Sequence, residues 1–249
     1  MPLVSRCRDF LATLLCWSWF VFGFLFIFSW RYAAAALGRD RERAFQHLNC
    51  RFFRVFFRLL RWLAPGHHWD IDAEVAGLRS SVVVCNHQSY LDPLLLITLF
   101  AHHRTIAKTR FFPMPIFGWI MKNSGYIPAS GEGRFASLML QRMESMQQFL
   151  RDGGILFVFP EGTRSRDGHL GGLQRGALKI ARLYQAPVQV LRLTNTDKLF
   201  PPGRFCFNTT AHNTIRLSLV ERIAPEQDGA PLSAAQLETR VGRAFGRAV

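Results

Sequence analysis

The chain has 249 residues, of which 49% are hydrophobic, and its 23 phenylalanines give it a high apolar content for a freely soluble protein. This length suits one α/β domain with a membrane-associated extension. The net charge of +14 requires an anionic partner, but the sequence has no zinc-finger spacing, RNP-like string or basic heptad region, so nucleic acid is not expected. Five scattered cysteines without a CxxC pair indicate neither a disulfide scaffold nor a zinc site, and they fit a reducing compartment.

The first predicted element is an apolar segment from Phe10 to Trp30 that carries no formal charge. It is long enough to cross the hydrocarbon core of a membrane, which needs ~20 residues. A cleaved signal peptide is the alternative, because Arg6 and Arg8 precede the segment and alanines follow it. The apolar run exceeds the ~7–15 residues of a signal-peptide core, and Arg31 separates it from the alanines, so we expect a retained anchor. Crossing the bilayer and re-entering the same leaflet both stay open.

The next predicted element is a helix with a narrow cationic stripe. Such a helix suits a membrane interface, where the aromatic face is buried in lipid and the guanidiniums reach the phosphates. A buried helix with one solvated arginine edge is the alternative, but the preceding apolar run favours the membrane. We therefore predict a membrane anchor and basic amphipathic helix over residues 1–64. The stripe consists of Arg51, Arg54, Arg58 and Arg61, and the other face of Phe52, Phe53, Val55, Phe56, Phe57, Leu59, Leu60 and Leu63.

After Pro65 the sequence alternates between strand and helix patterns, which predicts an α/β domain over residues 65–249 built around one sheet. Ser233 and Gln236 have the spacing of a capping box, which predicts a short terminal helix. The predicted strands cover 69–75, 81–85, 104–108, 155–159, 187–193 and 214–220, and the predicted helices cover 93–101, 114–122, 134–151 and 173–184.

Two polar strings directly follow predicted buried strands. Asn86 to Asp92 (NHQSYLD) follows strand 81–85, and Phe159 to Ser165 (FPEGTRS) follows strand 155–159. The carboxyl ends of strands in an α/β sheet are where catalytic groups collect. The first string supplies a histidine and an aspartate able to orient it. The second string supplies a carboxylate, a glycine, hydroxyl groups and an arginine.

Together and in this order, the two strings resemble those of the glycerolipid acyltransferase family, whose best-known members make phosphatidic acid from lysophosphatidic acid. The resemblance covers roughly residues 80 to 193 and includes the blocks Gly125 to Pro128 and Ala186 to Val190. The chain departs from the family at Ala129, because members commonly carry an arginine at about this point. The resemblance implies a single mixed sheet flanked by helices, with membrane-associated helices at the N-terminus.

Acyl transfer to an alcohol gives the first string an expected role. His87 is suited to take the proton of the acceptor hydroxyl, since its unperturbed pKa of ~6.5 lies near working pH. Asp92 is expected to hold the other ring nitrogen. The resemblance assigns the same catalytic roles and makes the acceptor oxygen itself the nucleophile. A loop histidine bonded to backbone, and a helix N-cap at Asp92 before Pro93, are the structural alternatives.

The second string and one lysine are expected to bind the acceptor. The resemblance implies that Gly162 allows close backbone approach and that Arg164 binds the acceptor phosphate, which suits a bidentate guanidinium. Glu161 is expected to organise the acceptor pocket or to hold Arg164, and Thr163 belongs to the same substrate-binding string. Lys108 matches a basic position of the family and either adds a phosphate contact or is a solvated lysine at a strand end.

The expected function is therefore O-acyltransfer from an acyl carrier protein or coenzyme A thioester to the free hydroxyl of a lysolipid, with 1-acyl-glycerol-3-phosphate as acceptor and phosphatidic acid as product. Another lysolipid such as a lyso-ornithine lipid, a non-catalytic membrane-binding protein and a thioesterase-like hydrolase are the alternatives. No metal and no redox cofactor are expected. The expected partners are a membrane lipid substrate, an anionic membrane surface and the thioester donor, with the active site on the cytoplasmic face.

Overall fold

The computed structural model describes residues 3–131, 133–162, 176–227 and 229–246. A long helical run opens the chain and consists of α1 (Leu3–Ser18), a π-helical segment (Trp19–Phe28) and α2 (Ser29–Ala36). Helix α3 (Arg41–Leu63) turns back along this run. Ring contacts between Phe20 and Phe56 and between Phe28 and Phe52 fix the antiparallel pairing.

The rest of the chain alternates between strands and helices, as its sequence pattern predicts. Short 3₁₀ turns occur at Thr109–Phe111 and Gly133–Phe135. The elements are β1 (His67–Ile71), α4 (Ala73–Gly77), β2 (Ser81–Cys85), α5 (Leu91–Leu99), β3 (His103–Ala107), α6 (Phe117–Asn123), β4 (Ile127–Pro128), α7 (Ala136–Glu144), α8 (Met146–Arg151), β5 (Ile155–Val158), α9 (Gly176–Leu183), β6 (Val188–Thr194), α10 (Thr196–Leu199), β7 (Asn213–Ile223), β8 (Glu226–Gln227), β9 (Ala230–Pro231) and α11 (Ala234–Ala244).

Within the described residues, seven strands form one sheet in the order β1-β7-β6-β2-β5-β3-β4. Neighbouring strands are parallel except β6 and β7, which are antiparallel. The strands β6, β2, β5, β3 and β4 therefore all end at the same edge, which we call the carboxyl edge; the opposite edge is the amino edge. The expected α/β fold with a single mixed sheet flanked by helices is confirmed.

Two apolar cores lie on the two faces of this sheet. Along β2, Val83 and Cys85 belong to one core, whereas Val82 and Val84 belong to the other, because successive side chains of a strand point to opposite faces. Helices α3 and α5 pack on the first face, and α8, α9 and α11 pack on the second. A strand buried on both faces is apolar throughout, which explains the continuous Val-Val-Val run.

The aromatic face of α3 packs inside the protein. Phe56, Phe57 and Leu60 are at most 4% exposed and lie in the same core as α5, so the expectation that this face is buried in lipid is wrong. The periodicity of a helix shows that one face is apolar but not whether protein or lipid covers it. The four arginines of the stripe are exposed, as predicted. The boundary at residue 64 stays a prediction, although α3 and the sheet share a core across it.

Among the described residues, one helical run, Leu3–Ala36, is long and apolar enough to cross a membrane. One side of this run is docked on the rest of the protein. Near its start, the buried Asp9 accepts hydrogen bonds from the backbone and hydroxyl of Thr209 (2.8 and 2.7 Å). Near its end, the Tyr32 hydroxyl donates to the Asn49 side chain (2.7 Å). Large apolar residues on the other side are exposed: Leu3, Val4, Phe10, Leu11, Leu14, Leu15, Val21, Phe22, Leu25, Phe26, Ile27 and Trp30.

An ion cluster fastens the start of α3 to the amino edge of the sheet. Glu42 accepts from both Arg104 (2.7 and 3.2 Å) and Arg142 (3.0 Å), and the two guanidinium side chains are only 5% and 14% exposed. Close to it, the fully buried His103 bonds the Phe100 carbonyl (2.7 Å) and the Tyr126 hydroxyl (2.8 Å). These contacts join elements far apart in sequence.

Two predicted elements differ from the structure for reasons that specific hydrogen bonds explain, and a third matches it. The edge strand predicted over 69–75 ends at Ile71, because the Asp72 side chain accepts from the Glu74 backbone and starts α4. The helix predicted over 134–151 divides between α7 and α8 at Ser145, whose hydroxyl accepts from Arg104. The capping box of α11 is confirmed, with reciprocal bonds between Ser233 and Gln236.

Candidate active site

The topology brings the two polar strings together. Strands β2 and β5 are parallel neighbours, with Val84 opposite Val158, so the segments that follow both strands emerge side by side at the carboxyl edge. The Glu161 carboxylate accepts a hydrogen bond from the backbone N–H of His87 over 3.1 Å, which joins the two strings directly. Residues 87 and 161 therefore form one site although they are 74 positions apart.

The central contact of this site links His87 to Asp92. The Nδ1 atom of the imidazole lies 2.9 Å from Oδ2 of the carboxylate. The same oxygen also accepts from the backbone N–H groups of Gln88 (2.6 Å) and Ser89 (2.8 Å). An oxygen engaged as an acceptor by two N–H groups is an acceptor for the ring as well, which assigns the imidazole proton to Nδ1 and a lone pair to Nε2.

The burial of the pair is asymmetric. Asp92 is fully buried, whereas the His87 side chain is 15% exposed. The carboxylate is thus shielded from water and held by donors, while the ring borders the open side of the site. A carboxylate that orients one ring nitrogen and an accessible second nitrogen is the arrangement of a general base.

Neither structural alternative describes the bonds that this pair makes among the described residues. Asp92 lies inside the first turn of α5 after Tyr90, and its side chain accepts from residues 88 and 89 that precede the helix rather than from the helix itself. Among the described residues, the His87 ring bonds a carboxylate and not a backbone carbonyl. The tight loop that carries both residues is closed on itself by these bonds.

The second string turns sharply after β5. The backbone N–H of Gly162 donates to the Phe159 carbonyl over 3.1 Å, and Gly162 has φ +64°, a conformation that glycine adopts without strain. Glu161 in this turn is 8% exposed. The predicted binding residues Thr163 and Arg164 lie outside the described residues, which end at 162 and resume at 176.

Lys108 stands at the same edge of the sheet. It directly follows β3, which is the parallel neighbour of β5, and its side chain is exposed. The position suits a contact with a substrate phosphate, and it also suits a solvated strand-end lysine, so both interpretations of Lys108 stay open.

The sequence interpretation missed three residues that hold His87 in place. The Asn86 side chain exchanges two hydrogen bonds with the Leu193 backbone of β6 (2.7 and 2.8 Å), and the Gln88 side chain accepts from the backbone of Asn195 (3.1 Å). The Phe159 ring packs on the imidazole with centroids 4.4 Å apart. Amide side chains on both sides of a histidine after a buried strand are the signal that points to such anchoring.

Cys85, which immediately precedes the first string, is a core residue. It is fully buried, and burial, followed by the nearby carboxylates of Asp92 and Glu161, raises the pKa of its thiol well above the usual value. A thiol held in its neutral form is not a nucleophile. Cys85 is therefore not a candidate nucleophile, and His87 stays the predicted catalytic residue at the end of β2.

Comparisons with known proteins concern the family and the fold. Residues 73–193 match the family model described as Acyltransferase. The chloroplastic 1-acyl-sn-glycerol-3-phosphate acyltransferase BAT2 of Brassica napus is 37% identical over 131 residues, which cover 49% of this chain and 35% of that protein. The 1-acyl-sn-glycerol-3-phosphate acyltransferase of Saccharomyces cerevisiae is 31% identical over 160 residues, which cover 62% of this chain and 52% of that protein. The chain thus spans about a third to about a half of the length of these relatives.

A solved structure has the same fold over almost the whole chain. The crystal structure of the 1-acyl-sn-glycerophosphate (LPA) acyltransferase PlsC from Thermotoga maritima superposes with a TM-score of 0.71 at 24% identity, covering 96% of this chain and 94% of that one. The matched family segment contains β2, β5 and both polar strings. On these findings residues 73–193 carry the sequence pattern of the acyltransferase family.

Proposed function

We propose that this protein is an O-acyltransferase that moves a fatty acyl group from a thioester donor to the free hydroxyl of 1-acyl-glycerol-3-phosphate, forming phosphatidic acid. The observation that carries the proposal is the 2.9 Å contact between His87 and the buried Asp92, at the sheet edge where Glu161 also lies. The curated relatives named 1-acyl-sn-glycerol-3-phosphate acyltransferase support the choice of acceptor.

The geometry supports a direct transfer. The acceptor O–H gives its proton to Nε2 of His87 while its oxygen attacks the thioester carbonyl carbon and forms the new C–O bond. Asp92 stabilises the imidazolium that results. When the tetrahedral intermediate collapses, the C–S bond breaks, and the imidazolium returns the proton to the departing sulfur. The reaction is balanced without an acyl-enzyme, a metal or a redox cofactor.

The residues around the base would orient the acceptor. The Glu161 carboxylate accepts from the backbone N–H of His87 and so would help to fix the position of His87 at the carboxyl edge. Arg164 and Thr163 follow Glu161 and Gly162 directly in the sequence, and a guanidinium there would bind the acceptor phosphate in a bidentate manner. Lys108, exposed at the end of the neighbouring strand, would add a second positive charge.

The N-terminal run would hold the enzyme on the membrane where the lipid acceptor resides. It is docked on the protein from Asp9 to Tyr32 and exposes large apolar residues on its other side. A helix held in this way along its length lies on the membrane more readily than it crosses it. The thioester donor, acyl carrier protein or coenzyme A, would then approach from the cytoplasm.

The test is a transfer assay with purified full-length protein, a panel of lysolipids and both thioester donors, read by product mass. We expect phosphatidic acid as the dominant product. In the same assay, Arg164→Ala should raise KM for the phosphate-bearing acceptor far more than KM for the thioester, and Arg164→Lys should restore it only in part.

Other outcomes of this assay select the alternatives. Preferred transfer to a lyso-ornithine lipid would replace the acceptor but keep the chemistry. Free fatty acid without a diacyl product would identify a hydrolase. Absence of any product from folded, vesicle-bound protein would favour a non-catalytic membrane-binding protein and overturn the proposal.

A further inference from the structure

A short segment at the carboxyl edge presents large apolar side chains to the outside. Between residues 114 and 119, Met114 is 47% exposed, Ile116 55%, Phe117 48% and Trp119 40%. Scattered exposed apolar residues are common on protein surfaces, but a contiguous group of this kind marks an interaction site. We call residues 114–119 the apolar loop.

The shape of the apolar loop is built by its surroundings. Ile116 has φ +57°, which is unusual for a β-branched residue and costs conformational energy. The fully buried Phe112 anchors the loop from below, and a Cβ added at Gly118 would collide with the Phe112 carbonyl oxygen. Backbone bonds from Gly118 to Met114 (2.9 Å) and from Ile120 to Ile116 (2.8 Å) close the turn. The exposed side chains are therefore held outward by a defined backbone.

The topology places the apolar loop next to the candidate active site. Strand β3 ends at the carboxyl edge, and α6 returns from this edge to the start of β4. The loop between them, with Phe117 as the first residue of α6, therefore stands at the edge where His87 and Glu161 lie.

Charge identifies the kind of partner. From residue 93 to residue 131 the sequence contains no aspartate or glutamate, whereas Lys108 and Arg110, shortly before the apolar loop in the sequence, are exposed. Apolar side chains accompanied by cations suit an anionic bilayer, in which the apolar groups enter the acyl region and the cations meet phosphates.

The apolar loop also lies close to the end of the N-terminal run. The Trp119 ring packs edge-on against Phe45 (centroids 5.0 Å apart), and Phe45 packs against Tyr32 of α2 (5.2 Å). Trp30, two residues before Tyr32, is 59% exposed. The apolar loop is therefore connected through Trp119 and Phe45 to the end of the N-terminal run, where Trp30 is exposed.

We propose that the apolar loop inserts into the bilayer as a second membrane contact, so that the carboxyl edge with His87 faces the lipid surface. Two separate insertion points fix the rotation of the protein about the N-terminal run, which a single helix does not. The consequence for acceptor delivery rests on the acyltransfer proposed above, whereas the insertion itself does not.

A fluorescent label tests the insertion directly. Among the five cysteines, Cys7 and Cys206 are not buried, so Cys7→Ser and Cys206→Ser give a background for labelling. In this background, Ile116→Cys carrying an NBD group should show a blue-shifted emission on anionic vesicles and quenching by lipids with a spin label in the acyl chain. Phe117→Cys should behave in the same way and covers the case in which one variant fails to fold.

Leu183 provides the matched control. It is 66% exposed on α9, which packs on the other face of the sheet and ends near the amino edge. An NBD group on Leu183→Cys should keep its aqueous emission on the same vesicles. Equal spectra for the labels at 116 and 183 on vesicle-bound protein would overturn the proposal.

An activity arm separates insertion from chemistry. The double variant Ile116→Ser and Phe117→Ser should lower transfer to a vesicle-embedded acceptor by roughly 10-fold or more, since it removes two apolar side chains from the membrane contact. Transfer to a dispersed short-chain acceptor should be unchanged, and Leu183→Ser should alter neither rate. An equal loss on both acceptors would overturn the proposal.

Two further results keep the proposals apart. If the wild type transfers no acyl group to any acceptor, the acyltransferase proposal fails while the labels still report insertion. If the label at 116 responds to an acidic acyl carrier protein without vesicles and not to vesicles, the apolar loop binds a protein partner and the membrane proposal is overturned.

Discussion

Buried polar clusters occur at both edges of the sheet, and they differ in what they leave open. At the carboxyl edge, Asp92 is fully buried, but its partner His87 remains 15% exposed with one ring nitrogen turned away from the carboxylate. At the amino edge, Glu42 joins two guanidiniums that are themselves almost buried. The first cluster keeps a partly exposed member, whereas in the second the charged groups pair with one another.

We call the pair of His87 and Asp92 the open cluster, and the group of Glu42, Arg104 and Arg142 the closed cluster. Both contain charged groups with good hydrogen bonds, so burial and pairing do not separate them. What separates them is whether the nitrogen atoms that do not bind the carboxylate have other partners within the protein. The Arg104 guanidinium donates hydrogen bonds to Glu42, the Arg142 carbonyl and the Ser145 hydroxyl. Its face packs on the Phe149 ring. The His87 ring uses one nitrogen for Asp92 and, among the described residues, no contact engages the other.

The largest effect is expected at the open cluster. His87→Ala should lower kcat by ~10²–10⁴-fold, the range for the loss of a general base, while the melting temperature changes little because the ring is partly exposed. The measurement is transfer rate beside a thermal melt, with His68→Ala, an exposed histidine of β1, as the control that keeps full activity. A folded His87→Ala protein with a near-normal rate would remove the distinction between the two clusters.

The closed cluster should respond in the opposite way. Glu42→Gln leaves two poorly exposed guanidiniums without their carboxylate, so we expect unfolding to become easier by about 2–3 kcal/mol, below the 3–5 kcal/mol of a fully buried pair because Glu42 is 26% exposed. Transfer per folded molecule should be unchanged. Chemical denaturation measures the stability change.

Asp70→Asn is the matched control for the Glu42 variant. Asp70 pairs with Arg216 over 2.7 Å, but both side chains are more than half exposed. Such a surface pair contributes about 0–1 kcal/mol, so its loss should be small. Equal losses for the two variants would show that the amino-edge cluster does not stabilise the docking of α3.

The two edges also differ in how well the sequence predicts them. The carboxyl edge could be predicted because its signals are local: a valine-rich strand, then His87 and Asp92 within one short string, and a second such string after β5. The amino edge could not, because Glu42 meets partners 62 and 100 positions away, and no local pattern marks such pairs. The bonds between Asn86 and β6 escaped prediction for the same reason, being 107 positions apart.

The amphipathic pattern of α3 predicted only part of its structure. The alternation of arginines and aromatic residues predicted that α3 is a helix with an exposed cationic edge, and both features are confirmed. Its aromatic face is covered by α5 and the N-terminal run. The pattern alone did not show whether protein or lipid covers that face. Helix 134–151 was predicted without its break because the hydroxyl of Ser145 is engaged by the distant Arg104.

Acid should lower the stability of the folded protein through His103, which lies close to the cluster around Glu42. Burial lowers the pKa of this histidine to about 3 from its usual 6.5, so below pH ~6.5 the unfolded chain takes up a proton that the folded protein does not. Stability is therefore fully present above pH ~6.5 and falls as the pH drops, by about 2 kcal/mol at pH 5 from this group alone.

The comparison of His103→Gln with wild type isolates this contribution. The glutamine variant loses the bonds to Phe100 and Tyr126 at neutral pH, but it no longer titrates. Its stability deficit should therefore shrink by about 2 kcal/mol between pH 7.5 and pH 5, as measured by urea denaturation at each pH. A deficit that stays constant with pH would mean that folding leaves the pKa of His103 at its usual value.

The smallest effect is expected for the arginine stripe of α3, in which neighbouring arginines differ in their hydrogen bonds to the rest of the protein. Arg51 and Arg54 are both exposed, but Arg54 donates to the Thr98 carbonyl near the end of α5 over 2.9 Å. Arg54→Gln should cost about 1 kcal/mol of folding stability, since a cation at a helix C-terminus and a charge-assisted bond are both lost. Arg51→Gln should leave stability unchanged and weaken binding to anionic vesicles by about 1 kcal/mol at low salt.

Salt separates the two arginines in one experiment. Added salt screens an exposed charge, so the vesicle-binding defect of Arg51→Gln should fade across a salt series measured by flotation. The stability defect of Arg54→Gln should persist in the same buffers, because its bond to the Thr98 carbonyl is partly buried. If both variants bind vesicles as wild type does at every salt concentration, the stripe is a solvated helix face, and the exposed face of the N-terminal run and the apolar loop account for the membrane contact without it.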